Sequence, residues 1–120
     1  FIKGILCNFL VCIAVWISFA AKEVVSKIVG LFFPIMMFVL CGFEHSIANM
    51  YYISSGLFAK TNATYVQAAT DAGVDLTNLT WGNFFSKNLL PVTLGNIVGG
   101  AICVGCAYWF IYLRKAKKAA

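Results

Sequence analysis

The chain has 120 residues, of which 62% are hydrophobic and 11% are charged, and its formal net charge is +5. Soluble domains carry about 25% charged residues, so nine basic and four acidic side chains could not cover so apolar a core. The composition argues against a soluble enzyme, a disordered tail and a nucleic-acid-binding protein. The net positive charge does not reverse this, because much of it falls in the last seven positions, as is typical of the flank of a membrane span. The basic residues there are Arg114, Lys115, Lys117 and Lys118.

The first apolar segment, Gly4–Ala21, contains no charged residue. At a rise of ~1.5 Å per residue, it nearly crosses the ~30 Å hydrocarbon core of a bilayer. We therefore predict the first membrane span over residues 4–21. The sequence begins at Phe1 rather than at a methionine, and we expect it to be part of a longer chain.

The second element, residues 28–59, is too long for one simple span and carries Glu44 and His45 near its middle. Gly42 gives the backbone a flexible point, and Ser46 suits the start of a new helix. We predict two half-helices joined by an irregular stretch over 42–46. Irregular backbone at membrane depth is tolerated only where it is buried in protein or lines a cavity. The break therefore predicts a pathway or a binding site.

Residues 60–81 are polar and contain both aspartates, which predicts an outer loop with a short helix near 65–72. A third span is expected at 92–113, because Pro91 suits the first turn of a helix. The end of this span carries an aromatic belt of Tyr108, Trp109 and Tyr112. The predicted fold class is therefore all-α integral membrane, with three transmembrane spans of which the second is broken mid-membrane.

The basic residues also predict an orientation, since they favour the cytoplasmic side. The C-terminal cluster and the turn that carries Lys22 and Lys27 are expected inside, and the acidic loop outside. Lys87 lies near the outer end of the third span, where its long side chain can snorkel to the headgroups. The expected location is the plasma or inner membrane.

Neither disulfides nor a metal site are expected. The five cysteines all lie in apolar segments, and an odd number without loop cysteines is not a disulfide framework. The pair 103 and 106 has redox-like spacing, but in a membrane helix we interpret it as two small packing residues. The chain has one histidine, and no cysteine pair converges on it by spacing. The cysteines are Cys7, Cys12, Cys41, Cys103 and Cys106.

His45 is the leading candidate for function, because an ionisable residue within a membrane is costly and usually functional. Histidine as a residue type has an unperturbed pKa near neutrality, about 6.5, so an imidazole can hand over a proton or carry a charge at small energetic cost. The alternative is a buried histidine that is hydrogen-bonded for packing. Glu44 would point about 100° away from His45 on a regular helix. We therefore favour a structural role for Glu44, as an acceptor of hydrogen bonds that hold the break.

Two further residues share the face of His45 by helical spacing. Asn49 follows it by one turn, where it can hydrogen-bond a permeating anion, orient the imidazole or simply pack. Phe38 precedes it by about two turns, where its ring can form an apolar constriction, although a lone phenylalanine is more often core or lipid contact. Elsewhere, Gly95-Asn96-Ile97-Val98-Gly99 contains a Gly-x-x-x-Gly pair, which permits close helix packing in membranes.

The segment Gly42-Phe43-Glu44-His45-Ser46-Ile47-Ala48-Asn49-Met50 resembles the signature of the formate/nitrite transporter family of anion channels. The resemblance extends along the whole chain and includes Gly4-Ile5-Leu6-Cys7-Asn8, Val11-Cys12-Ile13-Ala14-Val15-Trp16 and the run from Asn88 to Gly100. It implies a pentamer whose subunits each have their own pore and six spans in two inverted, aquaporin-like repeats. This chain resembles the second repeat. A lysine and a threonine loop of the other repeat would lie before Phe1.

The resemblance also implies roles for single residues. His45 matches the central pore histidine, and Asn49 matches the neighbouring pore asparagine. Phe38 and Val11 match apolar constriction positions. Glu44 matches the acid beside the histidine, and together with Gly42 and Ser46 it would support the break.

The sequence therefore predicts a channel or transporter for formate, nitrite or hydrosulfide, and not an enzyme. Its partners would be small monovalent anions, protons, the lipid bilayer and four further copies in a homopentamer, each with the missing N-terminal half; no cofactor and no nucleic acid are expected. One alternative is a membrane anchor of a redox complex, but a single histidine supplies at most one haem ligand. Another is an aquaporin-like channel for neutral solutes, although neither Pro34 nor Pro91 follows an asparagine.

Overall fold

The computed structural model describes residues 1–114, and all the regular elements within them are helices. Of the predicted cytoplasmic cluster it describes Arg114 alone; Lys115, Lys117 and Lys118 lie outside the described residues. The five helices are α1 (Ile2–Ala20), α2 (Val24–Leu40), α3 (Ser46–Ala59), α4 (Ala63–Asp71) and α5 (Trp81–Leu113).

Two of these helices, α1 and α5, are long and apolar enough to cross a membrane, with 19 and 33 residues. The shorter α2 is also apolar, and none of its residues is buried. Large apolar side chains such as Phe32, Phe33 and Leu40 are more than half exposed on it. A helix that is apolar all round and unburied suits a surrounding of lipid or protein rather than water.

The helix α5 begins at Trp81, well before the predicted start near residue 92. The Thr80 side chain caps it by accepting the backbone N–H of Asn83 at 3.3 Å. Pro91 therefore lies inside the helix, directly after a stretch of wider, π-type hydrogen bonding over Phe84–Leu89. The polar loop also contains α4, which Asn62 caps by accepting from Thr64 at 2.9 Å.

The chain divides into two compact units. The first unit contains Phe1–His45 and the chain from Val92 onward, and within it α1 packs against both α2 and residues 98–106 of α5. The second unit is Ser46–Pro91, in which α3 packs against residues 84–89 of α5.

In the first unit, glycines bring the backbones of α1 and α5 into direct contact. A Cβ atom on Gly99 would collide with the backbone of Ile5, and one on Gly95 would collide with the carbonyl oxygen of Phe1. On the facing helix, a Cβ atom on Gly4 would lie 2.9 Å from the Val92 carbonyl oxygen. The spacing of Gly95 and Gly99 therefore provides the close helix contact that such pairs allow in membranes.

Candidate functional site

The interruption between α2 and α3 is built by a specific turn at the end of α2. Gly42 has a φ of +60°, which is a left-handed conformation that glycine adopts at low cost. Its N–H donates to the Val39 carbonyl at 3.0 Å, and the Phe43 N–H donates to the Phe38 carbonyl at 3.0 Å. This pair of bonds is a Schellman motif, which satisfies the last carbonyls of a helix. Helical structure resumes at Ser46.

Asn96 of α5 holds the interrupted backbone in place. Its side-chain nitrogen donates to the Glu44 carbonyl at 3.0 Å and to the Gly4 carbonyl of α1 at 2.8 Å. The residue is only 8% exposed, so these bonds form where unpaired polar groups are costly. The Glu44 N–H also points toward the Lys3 carbonyl, at a longer 3.4 Å. The break is therefore fixed from two neighbouring helices.

Asn8 completes this polar network from α1. Its side-chain nitrogen donates to the backbone carbonyl of Asn96 at 2.7 Å. Neither Asn8 nor the bonding role of Asn96 was selected from the sequence, where Asn96 was assigned to helix packing. The signal available was a carboxamide inside an uncharged membrane segment, since such side chains commonly hydrogen-bond between helices.

His45 stands at the end of the break, against the ring of Phe38. The two ring centroids are 5.9 Å apart and the planes are inclined by 29°, which is a stacked arrangement. Both residues are half-buried. The Schellman turn and the irregular residues up to Ser46 lie between them, so continuous helical spacing does not account for the contact of the rings.

The remaining predicted residues occupy different places. Val11 is half-buried near the middle of α1, and Ser46 is the buried first residue of α3. In the second unit, the Asn49 side-chain nitrogen donates to the Asn88 side-chain oxygen at 2.9 Å. At Glu44, the backbone N–H points toward the Lys3 carbonyl and the backbone carbonyl accepts from Asn96.

Two chemical features complete the description. The five cysteines are free, and residues 1–114 contain no group of three or more histidine, cysteine, aspartate or glutamate side chains placed to hold a metal ion. The Thr93 hydroxyl, one turn before Asn96, is buried without a hydrogen-bond partner in the described structure. No motif or spacing in the sequence points to Thr93.

Comparisons with known proteins agree on one family. A model of the formate/nitrite transporter family matches residues 1–110. The chain is 46% identical over 115 residues to a probable formate transporter of Methanothermobacter thermautotrophicus. The aligned region covers 96% of this chain and 36% of the relative. It is 45% identical over 114 residues to the formate channel FocA of Escherichia coli (strain K12), covering 93% and 40% respectively.

A solved structure gives the same result at the level of the fold. A pentameric formate channel with formate bound superposes with a TM-score of 0.79 at 45% identity, over 93% of this chain and 45% of that chain. The described helices therefore have the fold of a formate channel over the compared part. The chain spans 36% and 40% of the length of the two curated relatives described above.

Proposed function

Because the chain belongs to the formate/nitrite transporter family, we propose that it contributes to a membrane channel for small monovalent anions. Formate is the favoured anion, since the matched relatives are named as formate channels or transporters; nitrite and hydrosulfide are the related alternatives. The observation that carries the proposal is the stacking of His45 on Phe38 at a held interruption between two helices.

The chemistry of the break suits the passage of an anion. Moving a bare anion through an apolar constriction is very costly, and the Phe38 ring supplies such an apolar surface beside the break. The half-helix α3 begins immediately after His45. Its N-terminus carries partial positive charge, which favours an anion at that end.

His45 has two possible roles in this channel. It can donate a proton, so that a neutral acid crosses the constriction, or it can stay neutral and hydrogen-bond the passing anion. The substitution His45→Asn separates these roles, because asparagine hydrogen-bonds but does not exchange protons near neutral pH. Proton-coupled flux with an unchanged pH dependence in this variant would exclude the proton-donor role.

The proposed channel includes further assignments from the sequence. Asn49 and Val11 join Phe38 and His45 along the pathway, and Glu44 and Gly42 support the break. The chain crosses the plasma or inner membrane three times with its C-terminus in the cytoplasm, and it assembles as a homopentamer. These assignments are supported by the charge distribution, by the apolar helices and by the likeness to a pentameric channel.

The test is a flux panel in liposomes that contain the full-length natural protein carrying this sequence. Formate, nitrite and hydrosulfide are supplied separately, and uptake is compared with that of protein-free liposomes. We expect uptake of at least one of the three anions to depend on the protein. Equal uptake with and without protein for all three anions would reject the proposed function.

A further inference from the structure

A second polar feature lies inside the unit Ser46–Pro91. It is a cavity of about 330 Å³ between the loop that precedes α5 and the first turns of that helix. Asn83 and Lys87 line it from successive turns of α5, and Asn88 follows directly. The sequence predicted that Lys87 snorkels to lipid headgroups, and the cavity offers its ammonium group a different environment.

The cavity has one cationic side chain and several hydrogen-bond donors, beside the side-chain oxygen of Asn83, whose nitrogen donates to the Asn78 carbonyl at 3.0 Å. The Lys87 ammonium has three donors and no acceptor. The Asn88 side-chain oxygen accepts from Asn49 at 2.9 Å. The side-chain nitrogen of Asn88 can therefore donate to a solute. The Thr80 oxygen accepts the Asn83 N–H at 3.3 Å, which leaves the hydroxyl hydrogen to donate. Such a lining favours an anion.

The negative charges of this unit are held elsewhere. Asp71 accepts from the Gln67 side chain at 2.8 Å. Asp75 accepts the N–H and the hydroxyl of Thr77 at 2.8 and 2.6 Å. Neither aspartate lines the cavity, whereas the only lysine that does is Lys87. The charge at the cavity wall is therefore positive.

The size of the cavity indicates that it collects an anion rather than strips it of water. Water takes about 30 Å³ per molecule in the liquid, so a volume of about 330 Å³ holds roughly ten waters. A small anion can enter with most of its hydration shell. Asn88, which lines the cavity, is bonded to Asn49.

We propose that Lys87 and Asn88 form an entry site for a small monovalent anion, which raises the local concentration of that anion beside Asn49. The site includes neither His45 nor Phe38. This proposal rests on the proposed function, because an entry site matters only if an anion passes. A single fixed charge acts on the encounter of a charged solute and is screened by salt. Removing the Lys87 charge should therefore raise the half-saturating anion concentration, and this increase should depend on ionic strength.

The test measures the initial formate flux against formate concentration in liposomes that contain the full-length natural protein, its Lys87→Gln variant and its Lys87→Arg variant. Measurements at about 0.01 M and about 1 M ionic strength span Debye lengths of about 30 Å and about 3 Å. At low ionic strength, Lys87→Gln should raise the half-saturating concentration by about threefold or more. Lys87→Arg should stay close to the wild type, and the maximal flux should not change. At high ionic strength the difference should disappear.

Lys22→Gln is the matched control, because it removes one positive charge from a residue that does not line the cavity. Equal half-saturation for the wild type and Lys87→Gln at low ionic strength would overturn the entry site. If Lys87→Gln does not assemble, the test uses the wild type and Lys87→Arg. A half-saturating formate concentration that does not depend on salt in either protein would overturn the proposal. A wild type without flux of formate, nitrite or hydrosulfide would instead reject the proposed function itself.

Discussion

The side-chain nitrogen of Asn96 donates a hydrogen bond of 3.0 Å to the carbonyl of Glu44, at the interruption between α2 and α3. The same nitrogen donates to Gly4 of α1 at 2.8 Å. The Schellman turn at Gly42 satisfies carbonyls of α2 alone, so it does not fix the break relative to other helices. Within the first unit, Asn96 makes that connection to both α1 and α5.

Replacing Asn96 by alanine should destabilise the protein by roughly 1–3 kcal/mol. The variant removes two hydrogen bonds, to the carbonyls of Gly4 and Glu44, at a residue that is only 8% exposed, where lost hydrogen bonds are costly. The free energy of unfolding of the detergent-solubilised natural protein, measured by denaturant titration, checks this expectation.

Asn8→Ala is the graded control, because it removes a single bond, to the Asn96 carbonyl. Its cost should be lower, about 0.5–1.5 kcal/mol. An Asn96→Ala variant that is no less stable than Asn8→Ala would show that the break does not depend on the Asn96 side chain.

Gly99→Ala should destabilise the packing of α1 on α5, because the added Cβ atom would collide with the backbone of Ile5. Overpacking of this kind costs typically about 1–3 kcal/mol. Gly82→Ala in the same helix is the control, since a Cβ atom there meets nothing within 4 Å, and the change should be neutral or stabilising by up to about 1 kcal/mol. Thermal unfolding of both variants tests the contrast, and equal unfolding temperatures would contradict the close contact.

Gly42→Ala should cost about 1–2 kcal/mol, because the left-handed backbone is unfavourable for a residue with a Cβ atom. Nothing lies within 4 Å of the new atom, so the effect acts through the backbone alone. Gly73→Ala is a matched control, since Gly73 has a φ of +73° and closes α4 with the same pattern of bonds. The two variants should lose similar stability, but only Gly42→Ala should lower formate flux. A similar loss of formate flux in Gly42→Ala and Gly73→Ala would show that flux does not depend specifically on the break.

Part of this arrangement could be predicted from the sequence. The resemblance to the formate/nitrite transporter family is confirmed by the family match and by relatives with 45–46% identity. Gly42 and the adjacent ionisable residues Glu44 and His45 indicate an interruption, because such residues are unfavourable within a continuous membrane helix. In the structure, α2 ends at Leu40 and α3 begins at Ser46.

Other parts could not be predicted, for identifiable physical reasons. The start of α5 at Trp81 differs from the predicted start at 92, because the uncharged run begins only after Lys87 and Pro91 suits a first turn. The Thr80 cap and the packing of 84–89 against α3 accompany the earlier start. The bonds of Asn96 depend on which carbonyls lie opposite it in space. Helical spacing does not predict these partners, because Glu44 and Gly4 are 52 and 92 positions away from Asn96.

The central claim is that His45 assists the passage of an anion, and formate flux through the His45→Leu variant tests it most directly. Leucine is apolar and removes both proton donation and hydrogen bonding, so either proposed role is lost. The measurement uses liposomes with matched amounts of folded protein, from pH 5 to 8, the range in which histidine titrates. We predict that flux falls at least about tenfold throughout this range. A flux with the wild-type rate and the wild-type pH profile would contradict the account.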